Sequence, residues 1–105
     1  MAVSLILGSF RRGNVDDPRL GFRPAFFDTT TFAIHLSRYK DGRPAPFYLL
    51  DGLPGDLVVA RSMFGRPIAG KATLIRGFER NGFFYTQSAA ARAAAEWIDA
   101  TEASR

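Results

Sequence analysis

The sequence predicts an α+β fold: a mostly antiparallel sheet of about five to six strands, open or curled into a small barrel, with one C-terminal helix on one face. Two observations carry this prediction. Asn81-Gly82 separates two runs of β-branched and aromatic residues, and an alanine-rich segment follows them directly. The connections are short and strands do not alternate with helices, which favours antiparallel pairing. A chain of 105 residues is one domain by default.

Residues 71–86 are predicted to form a β-hairpin around Asn81-Gly82. Asn and Gly both tolerate the positive φ that a type I′ turn requires at its two central positions. A two-residue loop then determines the register by counting. The predicted pairs are Arg80 with Phe83, Glu79 with Phe84, Phe78 with Tyr85, and Gly77 with Thr86.

Side chains alternate between the two faces of this hairpin. One face carries Phe78, Phe83 and Tyr85, interleaved with Arg76 and Arg80. Because a single helix needs to cover only one face of the sheet, this face is either the core or an exposed surface. The sequence leaves both interpretations open.

The helix is predicted over residues 87–99. Thr86 ends the second strand of the hairpin and is expected to cap the helix with its hydroxyl. Alanine, the best helix former, dominates the following positions. Ala90, Ala94 and Trp97 fall on one stripe together with Ile98, so Trp97 is the predicted anchor on the sheet.

Five further segments are predicted as strands or as lead-in to the hairpin. The pattern of alternating apolar residues and three threonines favours a strand over residues 26–39, with a short helix capped by Asp28 as the alternative. The near-continuous apolar run 57–61 is typical of a central or well-covered strand. The complete set is residues 3–10, 26–39, 47–50, 57–61 and 68–78.

Residues 10–24 are predicted as an arginine-rich loop. A loop of this length is often functional. Its arginines, including Arg11 and Arg12, have two possible roles: they bind phosphate, or they pair with Asp16 and Asp17 in a solvated cluster that contributes little to stability.

Composition limits the class of protein. The chain has no cysteine, which excludes disulfides and thiolate metal sites. The opening apolar run lacks a basic leading segment and is too short to span a bilayer, so we expect a cytoplasmic protein that does not contact membranes.

Net charge is +4, and twelve of fourteen basic residues are arginine. Arginine binds phosphate and carboxylate groups with two hydrogen bonds at once. A GC-rich genome is the alternative explanation for the excess of arginine over lysine.

No catalytic or metal-binding pattern stands out. His35 is the only histidine, and neither a base–nucleophile arrangement nor a ligand set accompanies it. Asp28, Asp51 and Asp56 are the candidates for a carboxylate site, but Asp51 and Asp56 flank a turn, where aspartate is favoured for local hydrogen bonding. We therefore expect a protein that is not an enzyme and needs no cofactor or metal.

The main functional signal is a set of basic residues interleaved with aromatic ones. Exposed aromatic rings bordered by arginine often stack and hold single-stranded nucleic acid. The candidate residues are Arg61, Arg66, Lys71, Arg76, Arg80, Phe78, Phe83 and Tyr85, with Arg11 and Arg12 added from the loop.

Two stretches, LLDGLPGDLVVAR and GFERNGFFYTQSAAA, resemble segments of small uncharacterised proteins of high-GC proteobacteria, some encoded near phage or plasmid genes. The similarity covers roughly residues 49–95. It implies an accessory protein of a mobile element, and such proteins often act by binding another macromolecule.

Two functional hypotheses follow from the sequence. The first is a small non-enzymatic module that contacts nucleic acid or a nucleoprotein complex through its basic, aromatic sheet face. The second is a protein-interaction or inhibitor module of a phage or other mobile element, or a homodimer, because hydrophobic strands with uncovered edges favour pairing with another chain.

Overall fold

The computed structural model describes residues 15–103, with side chains as far as Trp97. This part of the chain is α+β, as predicted, and its strands do not close into a barrel. The elements are β1 (Arg23–Asp28), β2 (Ala33–Leu36), β3 (Val58–Arg61), β4 (Pro67–Gly70), β5 (Leu74–Arg80), β6 (Phe83–Thr86) and α1 (Gln87–Ala103). The predicted strand at residues 3–10 lies outside the described residues.

The strands form two antiparallel sheets. Four of them are arranged in the order β2-β1-β5-β6, and β3 pairs with β4 in a separate two-stranded sheet. In the larger sheet β2 and β6 are the edges. The sequence predicted one sheet, but β3 and β4 bond only to each other, so the polypeptide folds their hairpin away from the main sheet.

The β5–β6 hairpin has the predicted register. All four cross-strand pairs between Gly77 and Thr86 are as expected from a two-residue turn. Asn81 and Gly82 have φ values of 55° and 86°, the positive values that the predicted turn requires. The Gly82 N–H also donates to Glu79 Oε2 at 2.8 Å, which ties the turn to β5.

The expectation of one strand over residues 26–39 is wrong, because a turn separates β1 from β2. Asp28 Oδ1 accepts hydrogen bonds from the Thr30 N–H at 3.0 Å and from the Thr30 hydroxyl at 2.6 Å. The Asp28 carbonyl accepts from the Phe32 N–H at 2.7 Å. Local bonds of this kind compete with sheet formation. Asp28 therefore caps a turn, and no helix begins there.

A hydrophobic core lies on one face of the larger sheet, which we call the inner face; Phe26, Phe78 and Tyr85 point to it. Phe26 is 2% exposed and packs with Leu53 and Leu57. Burying a phenylalanine of this kind contributes about 1.5–3 kcal/mol. The segment between β2 and β3, which supplies the two leucines, covers this part of the sheet.

That covering segment is held by Ser37 and contains no strand, so the predicted strand at residues 47–50 is wrong. Ser37 is 1% exposed. Its hydroxyl donates to the Phe47 carbonyl at 2.7 Å and accepts from the Leu49 N–H at 2.7 Å. One side chain thus replaces the backbone pairing that a strand would have made. A single turn of 3₁₀ helix, Gly55–Leu57, leads into β3.

The helix α1 packs on the inner face beside that segment. The predicted cap is confirmed, since Thr86 Oγ1 accepts from the Ala89 N–H at 3.1 Å. Ala90 and Ala94 are fully buried, which lets the helix approach the strands closely. The Trp97 ring stacks on Phe22 with centroids 5.5 Å apart. Neither helix in residues 15–103 combines the length and apolar character needed to cross a bilayer.

The described part of the arginine-rich loop uses its charges internally. Arg19 and Asp17 form an exposed ion pair at 2.6 Å, and this hydrogen bonding lowers the pKa of Asp17 to about 2. Arg23 donates from Nη2 to Glu79 Oε1 at 2.8 Å. These contacts favour the solvated ion-pair interpretation over phosphate binding for Arg19.

Candidate functional site

The turn that joins β3 to β4 presents two apolar side chains to solvent. Met63 is 90% exposed and Phe64 is 91% exposed. The backbone beneath them is held by Ser62, whose N–H donates to the Arg66 carbonyl at 2.8 Å and whose hydroxyl accepts from the Arg66 N–H at 3.2 Å. Gly65 adopts a φ of 84°, which only glycine tolerates easily. The sequence thus builds a tight turn with a projecting aromatic ring.

Beside this turn lies a cleft of about 410 Å³, which we call the hairpin cleft. Its lining combines three cations and one carboxylate with the exposed ring of the turn. The lining residues are Lys40, Asp51, Arg61, Phe64, Gly65, Arg66 and Pro67. The charges sum to an excess of two positive charges, which suits an anionic ligand.

The two arginines of the hairpin cleft differ in how firmly they are held. Arg61 Nη1 donates to the Gly65 carbonyl at 2.9 Å, which orients the guanidinium across the turn. Arg66 Nε lies 3.6 Å from Asp51 Oδ1, and the Arg66 side chain is 68% exposed. An exposed ion pair at this distance contributes little. Both guanidinium groups therefore keep donors for an anion.

A second cleft, of about 320 Å³, is lined by Ile68, Ala69 and Gly70 of β4 and is here called the β4 cleft. It contains the cations Lys71 and Arg76, and the exposed Ile68 also lines it. The Arg76 guanidinium lies 5.7 Å from the centre of the Tyr48 ring. Burial raises the pKa of Tyr48, so its hydroxyl stays protonated at neutral pH and donates to the Gly77 carbonyl at 2.7 Å. This bond fixes the ring under the guanidinium.

The structure thus brings four of the predicted binding residues to neighbouring clefts. Arg61 and Arg66 line the hairpin cleft, and Lys71 and Arg76 line the β4 cleft. Pro67 of β4 belongs to the first cleft, and the rest of this strand lines the second.

The aromatic part of the predicted surface has a different position. Phe78 is 8% exposed, and Tyr85 packs edge-on against Phe22 with centroids 5.1 Å apart. These two rings belong to the core under α1, so they do not form an exposed stacking platform. Phe83 is 68% exposed but lies at the β5–β6 turn.

Arg80 is likewise engaged internally. Its Nε donates to the Leu20 carbonyl at 2.6 Å, and its guanidinium lies 4.4 Å from the centre of the Trp97 ring. Both contacts hold the loop and the helix against β5. Arg11 and Arg12 lie outside the described residues.

Sequence reasoning missed Phe64 and Lys40 as members of the site. The signal for Phe64 was present: Met63 and Phe64 occupy the middle of a turn, where polar residues are usual. Lys40 gave no comparable signal, because the tertiary fold alone brings it to the cleft. Among the residues with described side chains, no three histidine, aspartate or glutamate residues gather as metal ligands do.

The face of the larger sheet opposite the core, which we call the outer face, is a second candidate surface. It carries five apolar side chains that are partly exposed: Phe27, Ile34, Leu36, Ile75 and Phe84. Phe27 and Phe84 stack with centroids 5.1 Å apart. Apolar surface of this kind often marks a contact with another protein.

Comparison with known proteins gives no match: no family model, no curated protein and no solved structure resembles the chain significantly.

Proposed function

We propose that this protein is a small non-enzymatic binding module that contacts nucleic acid, alone or within a nucleoprotein complex. The observation that carries the proposal is the exposed ring of Phe64 in a cleft with Lys40, Arg61 and Arg66. Arginine donates to phosphate oxygens in a planar fork, and an aromatic ring offers a surface to a base. The site differs from the sheet face expected from the sequence but keeps two of its arginines.

The charges that line the two clefts favour binding of an extended anion. The hairpin cleft and the β4 cleft together contain five cations and one carboxylate, and both lie along β4. Phosphate neutralisation releases counterions, so the affinity for a polyanion falls as salt rises. The resemblance to proteins encoded near phage or plasmid genes is consistent with a nucleoprotein setting and stays a prediction.

Fluorescence anisotropy with labelled oligonucleotides tests this function. We expect affinity to fall steeply between about 50 and 200 mM salt. The double variant Arg61→Ala/Arg66→Ala should bind more weakly and lower the salt slope by about two, or about one for each lost phosphate contact. Arg92→Ala, on the exposed side of α1, is the matched control and should bind as the wild type does. Absence of binding even at low salt would remove the proposal.

A protein-interaction module, such as a homodimer, is the second candidate, and the outer face is the observation that favours it. Each of the edge strands β2 and β6 also has one side without a strand partner within the described chain. Ile75, 42% exposed, is the central position to change. If this face joins two copies, light scattering should show a dimer that Ile75→Asp converts to a monomer; a wild-type monomer at all concentrations would exclude the homodimer.

A further inference from the structure

We infer that the hairpin cleft selects single-stranded over duplex nucleic acid, with one base stacked on Phe64 and the neighbouring phosphates held by Arg61 and Arg66. This inference rests on the proposed function and adds the form of the ligand. It follows from the shape of the turn, from the position of the ring among the cations, and from the arrangement of the two clefts.

The turn holds the backbone of Phe64 in place. Ser62 Oγ accepts hydrogen bonds from the Phe64 N–H at 3.3 Å and from the Arg66 N–H at 3.2 Å. The Gly65 N–H donates to the Ser62 carbonyl at 2.9 Å. These bonds close the turn on both sides of the ring, so the backbone beneath it needs little ordering when a ligand binds.

An exposed ring stacks more readily on an unpaired base than on a paired one, because insertion into a duplex first requires the base pairs to unstack. In a duplex each base face is covered by its neighbours, and a protein reaches the phosphates and the groove edges. In a single strand the base faces are free, and stacking on an aromatic side chain strengthens binding substantially. Phe64, 91% exposed among the cations, would contact a base face in a duplex only after unstacking, a cost that a single strand does not carry.

Residues of β4 and its two flanks line both clefts, so cations are present at both ends of this strand. Arg66 immediately precedes β4 and Lys71 immediately follows it. At about 3.3 Å per residue, the five steps between them span roughly 17 Å. Ile68, 60% exposed on β4, lies between these cations.

The test compares single-stranded and duplex oligonucleotides of the same sequence, measured by anisotropy at one low salt concentration. We expect the single strand to bind more tightly. Phe64→Ala should weaken single-strand binding by about 5- to 100-fold, the range for loss of one stacked base, and leave duplex binding unchanged. Phe64→Trp should restore single-strand binding, since the indole ring also stacks.

Phe83→Ala is the matched control. Phe83 is an exposed ring at the turn of the β5–β6 hairpin, 68% exposed and outside both clefts. Phe83→Ala should leave the affinities for the single strand and for the duplex unchanged. Circular dichroism of each variant shows whether the fold is intact.

The outcomes separate this inference from the proposed function. If both probes bind in a salt-dependent manner but equally, or if Phe64→Ala binds the single strand as tightly as the wild type, the inference is overturned and the proposed function stands. If neither probe binds, both are overturned. Preference for the single strand with a selective loss in Phe64→Ala supports the inference.

Discussion

The ring of Phe84 on β6 lies diagonally over the backbone of Gly77 on β5, whose direct partner is Thr86. A methyl group added to Gly77 would lie 2.3 Å from Phe84 Cζ and 2.3 Å from the Tyr85 carbonyl oxygen. The aromatic ring thus covers a backbone position that has no side chain of its own, at the end of the β5–β6 ladder farthest from the turn. This is a close-packed arrangement in which the ring could turn aside but the backbone oxygen could not.

Gly77→Ala should therefore destabilise the protein by about 3 kcal/mol, at the upper end of the range for overpacking. Urea denaturation followed by circular dichroism measures the change. Gly55→Ala is the matched control, because the added methyl group would meet only the end of the Arg61 side chain at 4.0 Å. A stability for Gly77→Ala equal to that of the control would contradict the packing described.

Glu79 should make stability depend on pH. Burial opposes ionisation of this carboxyl, but the Gly82 N–H and Arg23 together outweigh it and lower the pKa of Glu79 below its ordinary value of 4.5. A group with a lowered folded-state pKa stabilises the fold above its unfolded pKa and loses that contribution as pH falls through the folded value. The contribution is thus complete at pH 7 and declines below about pH 4.5.

Glu79→Gln should lower stability by about 1–2 kcal/mol at neutral pH, as expected for hydrogen bonds to a charged group with a half-exposed partner. The difference from the wild type should shrink in acid. Chemical denaturation at several pH values measures both effects. Glu96→Gln, on the exposed side of α1, is the control and should show neither the loss of stability at neutral pH nor its decrease in acid. A stability difference between Glu79→Gln and the wild type that stays constant across pH would contradict the role of the charge.

Ser37→Ala should lower the free energy of unfolding by about 1–3 kcal/mol, because it leaves the Phe47 carbonyl and the Leu49 N–H without their hydrogen bonds to the buried hydroxyl. Hydrogen exchange should also show faster exchange at the Leu49 amide. Ser88→Ala, at an exposed position in the first turn of α1, is the control and should change stability little. Unchanged protection at Leu49 would show that Ser37 does not hold this segment.

Trp97→Ala should lower the free energy of unfolding by about 2–3 kcal/mol. This is less than the 3–5 kcal/mol typical of a fully buried aromatic residue, because Trp97 is only partly buried. The loss combines the stack on Phe22 with the contact to the Arg80 guanidinium. Thermal unfolding measures it, with Glu96→Ala as the exposed neighbour for comparison. A melting temperature equal to that of the control would show that the helix does not depend on this ring.

The local signals in the sequence were reliable where one short motif controls the conformation. Asn81-Gly82 predicted the turn and the full register, since both residues accept positive φ. Thr86 predicted the start of α1, since the N-terminal turn of a helix needs an acceptor. The predicted strand at residues 47–50 failed, because its apolar residues resemble a strand, but Ser37 provides the hydrogen bonds that the segment needs.

The candidate site was only partly predictable, for a related reason. Arg61 and Arg66 flank one turn, so their proximity follows from local sequence. Lys40 and Asp51 join them only through the fold. Phe78 and Tyr85 have the same character as the exposed Phe64, and sequence alone does not distinguish a ring in the core from a ring in a binding cleft.

By itself, the sequence determined the fold class, the β5–β6 register, the capped alanine-rich helix and the excess of arginine. Each of these depends on backbone preferences or on composition, which act over a few residues. Only the tertiary structure decided which sheet face is the core and which arginines meet. The covering segment and α1 both pack on the inner face and bury Phe78 there, whereas β3 and β4 fold apart and leave Phe64 in solvent. Burial depends on which distant segments meet, and that is a property of the whole chain.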